Sequence, residues 1–239
     1  SDIRRELWAS MDTPIDSAPL CRRVTPGSTV ALVVSDMSRF WMRQDLVVPH
    51  LVDYLTQRCG VREDDITIVI ANGTHTGGDE AELRTLVTDA VYDRITVENH
   101  NCDSDDLVYL GTTPHGTPVS INRTAALADM VICLGAATHH VMAGFGGGRK
   151  SILHNHAFSL DAAALRSNPA VGNGILQGNP LHEDMCEAAG LVKNLFMVNL
   201  VMNTQMRLAA IFSGHYLTSW EQACRTVNRI YQVDVPRKA

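Results

Sequence analysis

Residues 129–151 read DMVICLGAATHHVMAGFGGGRKS. The first part, 129–135, is apolar without alternation, the pattern of a strand buried on both faces rather than on one. It runs directly into small residues, two histidines, a glycine cluster, Arg149 and Lys150. Apolar runs of the same kind recur at 28–34, 65–71, 95–99, 195–203 and 207–212, with helical patterns at 45–59, 80–86, 181–189 and 218–231. Strands alternating with helices predict an α/β fold, a Rossmann-like sandwich with a mainly parallel sheet. The stretch GTTPHGTPV at 111–119 breaks that rhythm and predicts a short hairpin over 110–122, turning at His115 and Gly116.

A chain of 239 residues, 45% hydrophobic and 19% charged, has the material for a full core. Its formal charge of -6 and its three lysines, Lys150, Lys193 and Lys238, leave no basic surface for a phosphate backbone, which argues against nucleic acid as a partner. No apolar run approaches bilayer length and the first residues lack a signal-peptide core, so the expectation is no membrane span and a cytoplasmic protein. The six cysteines are dispersed without a C-x-x-C pair, which predicts reduced thiols. The tail QVDVPRKA follows a helical pattern and carries a proline. We expect one domain over 1–232, with 233–239 opening a linker toward a carboxy-terminal domain.

Ligands of parallel α/β sheets gather where strands end at their carboxyl edge. Three segments qualify: Ser35 to Arg39, Asn72 to Gly78, and Ala136 to Ser151. The third fits neither nucleotide fingerprint, because Arg149 stands where a phosphate-binding loop and a dinucleotide motif both need glycine. Its glycines, Gly147 and Gly148 among them, permit close backbone approach to a ligand, and a neighbouring guanidinium disfavours protonated Lys150. A lysine-centred site and a surface loop are both open on these residues. His75 is either a general acid or base or a polar strand-end cap. Asp36 with Arg39 either orients an acidic substrate or forms a local ion pair. His154 and His156, one residue apart, would share a face on a strand and diverge on a helix.

Taken in order, D-x-S-R at Asp36 to Arg39, G-T-H at Gly73 to His75, G-T-T-x-x-G-T-P-V, H-x-x-x-G-F-x-G-G-x-K-S and G-N-P-L-H-E-D-M at 178–185 make the chain resemble the nickel-pincer lactate racemase family over about Thr25 to Lys238. The resemblance implies a racemase or epimerase of 2-hydroxy acids, working by reversible hydride transfer to a nickel-pincer nucleotide cofactor. It further implies Lys150 as the cofactor tether, His75 and His140 as paired acid/base groups, and Asp36 and Arg39 as contacts to cofactor and substrate. His156 is implied as a nickel ligand, and a carboxy-terminal domain of the same protein as the other wall of the active site. Here Leu153 runs straight into His154, where family members carry a longer stretch beginning Pro-Gly-Ile. Two other readings stand beside this one: a non-catalytic binding or scaffold domain of the same fold, and a metal hydrolase using His139, His140, His154 and His156.

Overall fold

The computed structural model describes residues 2–152 and 168–232. Helices α1 (Ile3–Asp12) and α2 (Leu20–Arg23) precede strand β1 (Val30–Ser35), which a 3-10 turn over Met37–Met42 connects toward helix α3 (Val48–Asp53). Then come β2 (Ile66–Ala71), α4 (Glu80–Val87), α5 (Asp89–Tyr92), β3 (Thr96–Asn99), the hairpin β4 (Val108–Thr112) and β5 (Pro118–Ile121), and α6 (Arg123–Leu127). Strand β6 (Met130–Ala137) leads into a two-residue ladder of β7 (His139–His140) and β8 (Gly144–Phe145). The remainder is α7 (Pro180–Gly190), β9 (Leu195–Met202), β10 (Leu208–Gly214) and α8 (Thr218–Tyr231).

The main sheet has the order β10-β9-β6-β1-β2-β3. All neighbours are parallel except β9 and β10. It is the α/β sandwich expected from the apolar runs, and the hairpin sits where GTTPHGTPV placed it. Alternate residues of each strand feed opposite cores, as a two-fold side-chain repeat requires. Val30, Leu32 and Val34 of β1 pack with Ile66, Ile68 and Ile70 of β2 and with α1 and α3 on one face. Ala31 and Val33 pack with Val69, Val131, Cys133 and the apolar face of α7 on the other. A third cluster seats Trp220 and Val227 of α8 against Phe145 and Val201.

The helix expected over 45–59 forms in pieces. A 3-10 turn spans Gln44–Leu46, α3 starts with Pro49 in its first turn, and a π turn over Tyr54–Arg58 closes it. Proline lacks an N–H and suits a helix start, so the break falls just ahead of it.

Two motifs that carry no obvious chemistry find a structural role. Asp184 of α7 is fully buried. Its carboxylate accepts the Thr113 hydroxyl at 2.5 Å and the Thr117 hydroxyl at 2.7 Å, so the G-T-T-P-H-G-T-P turn is stapled onto the N-P-L-H-E-D helix. A buried carboxylate without such donors would be strongly destabilising.

The sequence expectation of six reduced thiols is corrected at one pair. Cys21 on α2 and Cys59, after the π turn, form a disulfide with Cα atoms 4.7 Å apart, whereas Cys102, Cys133, Cys186 and Cys224 are free. A separation of 38 residues left the pairing invisible before the chain folded. Among the described residues no helix is long and apolar enough to cross a membrane.

Titration of the denatured, unreduced protein with a thiol reagent should count four thiols, rising to six after reduction. Closing a loop of this length should stabilise by roughly 4 kcal/mol, lost in Cys21→Ser. In urea, Asp184→Ala should lose about 3 kcal/mol, because the Thr113 and Thr117 hydroxyls both lose the buried carboxylate they donate to. A midpoint unchanged from wild type would remove the staple from the account.

Candidate active site

Strands β1 and β6 lie side by side, yet the chain proceeds from β1 outward to β2 and β3, and from β6 outward in the other direction to β9 and β10. The loops leaving their carboxyl ends therefore diverge, and a crevice opens between them. Asp36 follows β1 and Thr138 follows β6, so the topology alone directs two of the three candidate segments into it.

Asp36 is nearly buried, at 7% exposure. One carboxylate oxygen accepts the Ser38 hydroxyl at 2.6 Å and the Arg39 Nη1–H at 3.2 Å, and the other lies 2.5 Å from His75 Nδ1. Burial alone would raise the carboxyl pKa, but the Ser38 hydroxyl, the His75 ring and the Arg39 charge outweigh it and hold Asp36 below the usual carboxylate range. An ionised carboxylate only accepts, so His75 Nδ1 carries the proton of that bond, and in the neutral ring the lone pair is at Nε2. The loop that brings His75 there is pinned from beneath. Buried Asn72 donates to Asn99 Oδ1 at 3.0 Å and to the His100 carbonyl at 3.1 Å, and Asn99 donates to the Gly78 carbonyl at 2.8 Å.

The loop after β6 is held by a buried cation. Arg149 is fully buried. It donates to the Phe145 carbonyl at 2.9 Å and the Ala143 carbonyl at 3.0 Å, reaches His182 Nδ1 at 3.2 Å, and stacks 3.7 Å above the Trp220 ring. Gly147 and Gly148 both have positive φ, 70° and 54°. A Cβ on Gly147 would lie 2.4 Å from the Ala136 carbonyl oxygen, and one on Gly148 would lie 2.4 Å from Trp220 Cδ1, so neither position takes a side chain without moving the loop.

Lys150 ends this loop with its Nζ 2.9 Å from His140 Nε2. Burial, then the charges of Arg39 and Arg149, lower the amine to about 8. Burial, then Lys150, Arg149 and Arg39, lower His140 to about 4. At neutral pH His140 is uncharged and roughly a tenth of Lys150 is free amine, far more than for an ordinary lysine.

Arg39, His140, Lys150 and Gly147 line one cleft of about 260 Å³, together with Ser35, Ser38, Trp41, Thr138 and Ser151. His75 and Asp36 stand at its edge, joined to it through Arg39 and Ser38. Gly148 does not line the cleft; it is buried under Trp220. His139 faces away from His140, stacked on Phe145 and bonded through Nε2 to Asn228 Oδ1 at 2.9 Å. His154 and His156 lie outside the described residues, and among the described residues no three His, Cys, Asp or Glu side chains are grouped to hold a metal ion. Trp41 and Thr138 were not singled out from sequence. Thr138 could have been found as the residue directly after a buried strand, whereas nothing local marks Trp41.

A doubly wound sheet with a cationic, imidazole-lined cleft at its switch point defines the class: an α/β domain suited to a small anionic ligand. The lactate racemase N-terminal domain family matches residues 1–159, and the chain belongs to that family. The lactate racemase of Thermoanaerobacterium thermosaccharolyticum is 27% identical over 231 residues, covering 94% of this chain and 54% of that protein. The lactate racemase of Lactiplantibacillus plantarum is 28% identical over 230 residues, with the same coverage of 94% and 54%. The solved lactate racemase apoprotein from T. thermosaccharolyticum superposes with a TM-score of 0.85 at 27% identity, covering 95% of this chain and 55% of that one. A Thermotoga maritima protein at 21% identity and TM-score 0.74, covering 95% of this chain and 58% of its own, shares the fold. The chain thus spans about half the length of the curated relatives it matches.

The lowered pKa of Asp36 fixes a pH signature. Its contribution to stability is present above the unfolded carboxylate value, about 3.9, and is lost as pH falls through the still lower folded value. The stability difference between wild type and Asp36→Asn, from urea titrations at a series of pH values, should be full near neutrality and shrink below about pH 4. A constant gap down the whole acid range would show that the carboxylate charge does not hold this network.

Proposed function

We propose that this chain is the cofactor- and proton-handling part of a lactate-racemase-like isomerase of 2-hydroxy acids, acting with a further domain of the same protein. The observation that carries this reading is the convergence of Arg39, His140 and Lys150 on one cleft, with His75 tied to the same Arg39 through Asp36. Membership of the lactate racemase N-terminal domain family supports it.

Lys150 fits a tether: its amine is partly free base near neutrality, and glycine at 147 leaves the backbone bare beside it. The Cα hydrogen of a 2-hydroxy carboxylate is poorly acidic and no side chain accepts hydride reversibly, so a nickel-pincer nucleotide on Lys150, with Asp36 and Gly147 beside it, would supply that acceptor when bound. The nickel ligand implied by family resemblance, His156, lies outside the described residues.

This chain's own groups supply orientation and proton movement. Arg39 bonds Asp36 and Ser38 through Nη1 alone, which leaves Nε and Nη2 for the substrate carboxylate. His75, with Nδ1 held by Asp36, presents Nε2 to take the substrate hydroxyl proton. His140 presents its own Nε2 at the cleft and serves the opposite face of the substrate. Lactate is the substrate class nearest the named relatives.

The full-length parent protein, co-produced with enzymes that make the pincer cofactor, should carry a covalent adduct and about one equivalent of nickel by intact mass and metal analysis. The adduct should vanish in Lys150→Ala. His75→Ala and His140→Ala should keep the adduct and lose roughly a hundred- to ten-thousand-fold in racemisation rate. No adduct, no nickel and no racemisation, with a known racemase loaded in parallel, would leave the scaffold reading in its place.

A further inference from the structure

The protonation state of Lys150 is written in the hydrogen bonds around its neighbour. His140 Nδ1 faces two main-chain N–H groups, those of Met142 at 3.2 Å and Ala143 at 3.1 Å. A ring nitrogen that receives N–H donors offers its lone pair and carries no proton. A neutral imidazole must then be protonated at Nε2, the atom 2.9 Å from Lys150 Nζ. An ammonium has three donors and no lone pair, so it cannot accept that N–H. Only one combination satisfies every contact: neutral His140 donating from Nε2, and Lys150 as a free amine accepting. Protonating Lys150 would require the ring proton to move to Nδ1, where it would meet two N–H groups head-on.

We infer that His140 has a role beyond proton exchange: through a tautomer fixed by the main chain, it donates to Lys150 and favours the free-amine form, the nucleophile for an electrophilic acyl carbon. The inference deepens the reading of Lys150 as the attachment point and rests on it. No carboxylate among the described residues bonds Lys150 to favour the charged form; Asp36, at the edge of the cleft, is engaged by Ser38, Arg39 and His75. The other charged groups acting on the amine are cations, Arg39 and Arg149, and both press the same way. In the attachment step the Nζ lone pair forms the N–C bond, the acyl leaving group departs with its bonding pair, and the surplus amine proton passes to solvent. Nothing is oxidised or reduced. The product amide nitrogen has no available lone pair, so attachment strips His140 of its acceptor and turns Nε2–H toward the cleft. Loading the site and arming His140 become one event.

The test uses the full-length parent protein produced without cofactor enzymes, so it reads Lys150 whatever group is later attached. Acetylation by N-hydroxysuccinimidyl acetate is followed by peptide mass spectrometry across about pH 6 to 10, with exposed Lys193 as internal reference. Wild-type Lys150 should label with a midpoint of about 8. His140→Met keeps the bulk and removes the donor; its midpoint should rise by about one unit, which lowers labelling at neutral pH about tenfold. His140→Gln, whose amide can donate, should return the profile toward wild type. Burial alone predicts the reverse for His140→Met, a midpoint unchanged or lower, and that outcome overturns the inference. A rise shared by both variants overturns it too, since loss of ring packing would then be the cause. Proton–nitrogen NMR correlation of the wild-type His140 ring needs no variant: Nε2 should be the protonated nitrogen, and a protonated Nδ1 sinks the proposal directly.

Discussion

The site depends on one buried cation. Arg149 has no carboxylate partner among the described residues, yet it is fully inside the protein. Its charge is met by the Ala143, Phe145 and Gly147 carbonyls of its own loop, the lone pair of His182 and the face of Trp220. A desolvated guanidinium over an indole contributes about 2 kcal/mol, and hydrogen bonds to a charged group are stronger than neutral ones, which offsets the cost of burial. Burial lowers Arg149 to about 10, so it stays charged at neutral pH. The geometric effect matters more than the energy. Beyond a two-residue ladder and a 3-10 turn over Gly148–Ser151 the loop from His139 to Lys150 has no regular structure, and Arg149 ties its end back to Ala143 and Phe145 while docking it on α7 and α8. Asn179 adds a second tie, donating to the Met142 carbonyl at 2.8 Å and capping α7 with its oxygen.

The same cation sets the electrostatics. Arg149 and Arg39 both act on Lys150 and His140, in surroundings too dry to screen them fully. The cleft therefore has surplus positive potential, which lowers the share of Lys150 carried as ammonium. Such a place favours a small carboxylate and disfavours further protons. Asp36 offsets part of it through its ion pair with Arg39, while Arg149 has no carboxylate partner among the described residues.

Much of this was legible in the sequence, and the reasons are particular. Unalternating apolar runs at 65–71 and 129–135 place two central strands, since only a sheet covered on both faces buries every residue of a strand. Once the strands are placed, Asp36, His75 and His140 follow as residues at carboxyl ends. The effect of Arg149 on Lys150 was also readable from adjacency, although burial turns out to be the larger cause. What stayed hidden is long-range. The Cys21 to Cys59 disulfide, the hold of Asp184 on Thr113 and Thr117, and the stacking of Arg149 on Trp220 join residues 38 to 71 positions apart, where no local pattern reaches. His139 and His140 were alike in sequence. A two-residue strand separates them, because successive side chains point to opposite faces.

The two imidazoles reach the cleft by opposite devices, and the difference bears on the chemistry. His75 is held at Nδ1 by an anion, which takes the ring proton there and leaves Nε2 as an acceptor. His140 is held at Nδ1 by main-chain N–H dipoles, which leave Nε2 as a donor. With each ring in its neutral form, one side of the site presents a lone pair and the other a proton. A hydroxyl needs the first and a carbonyl oxygen the second. On the proposed reading the substrate oxygen alternates between those two forms while the carbon changes configuration, so the site must accept a proton from one and donate to the other. Two histidines held the same way would duplicate one role and leave the other unfilled; held oppositely, by a carboxylate and by the backbone, they supply one hydrogen-bond acceptor and one donor.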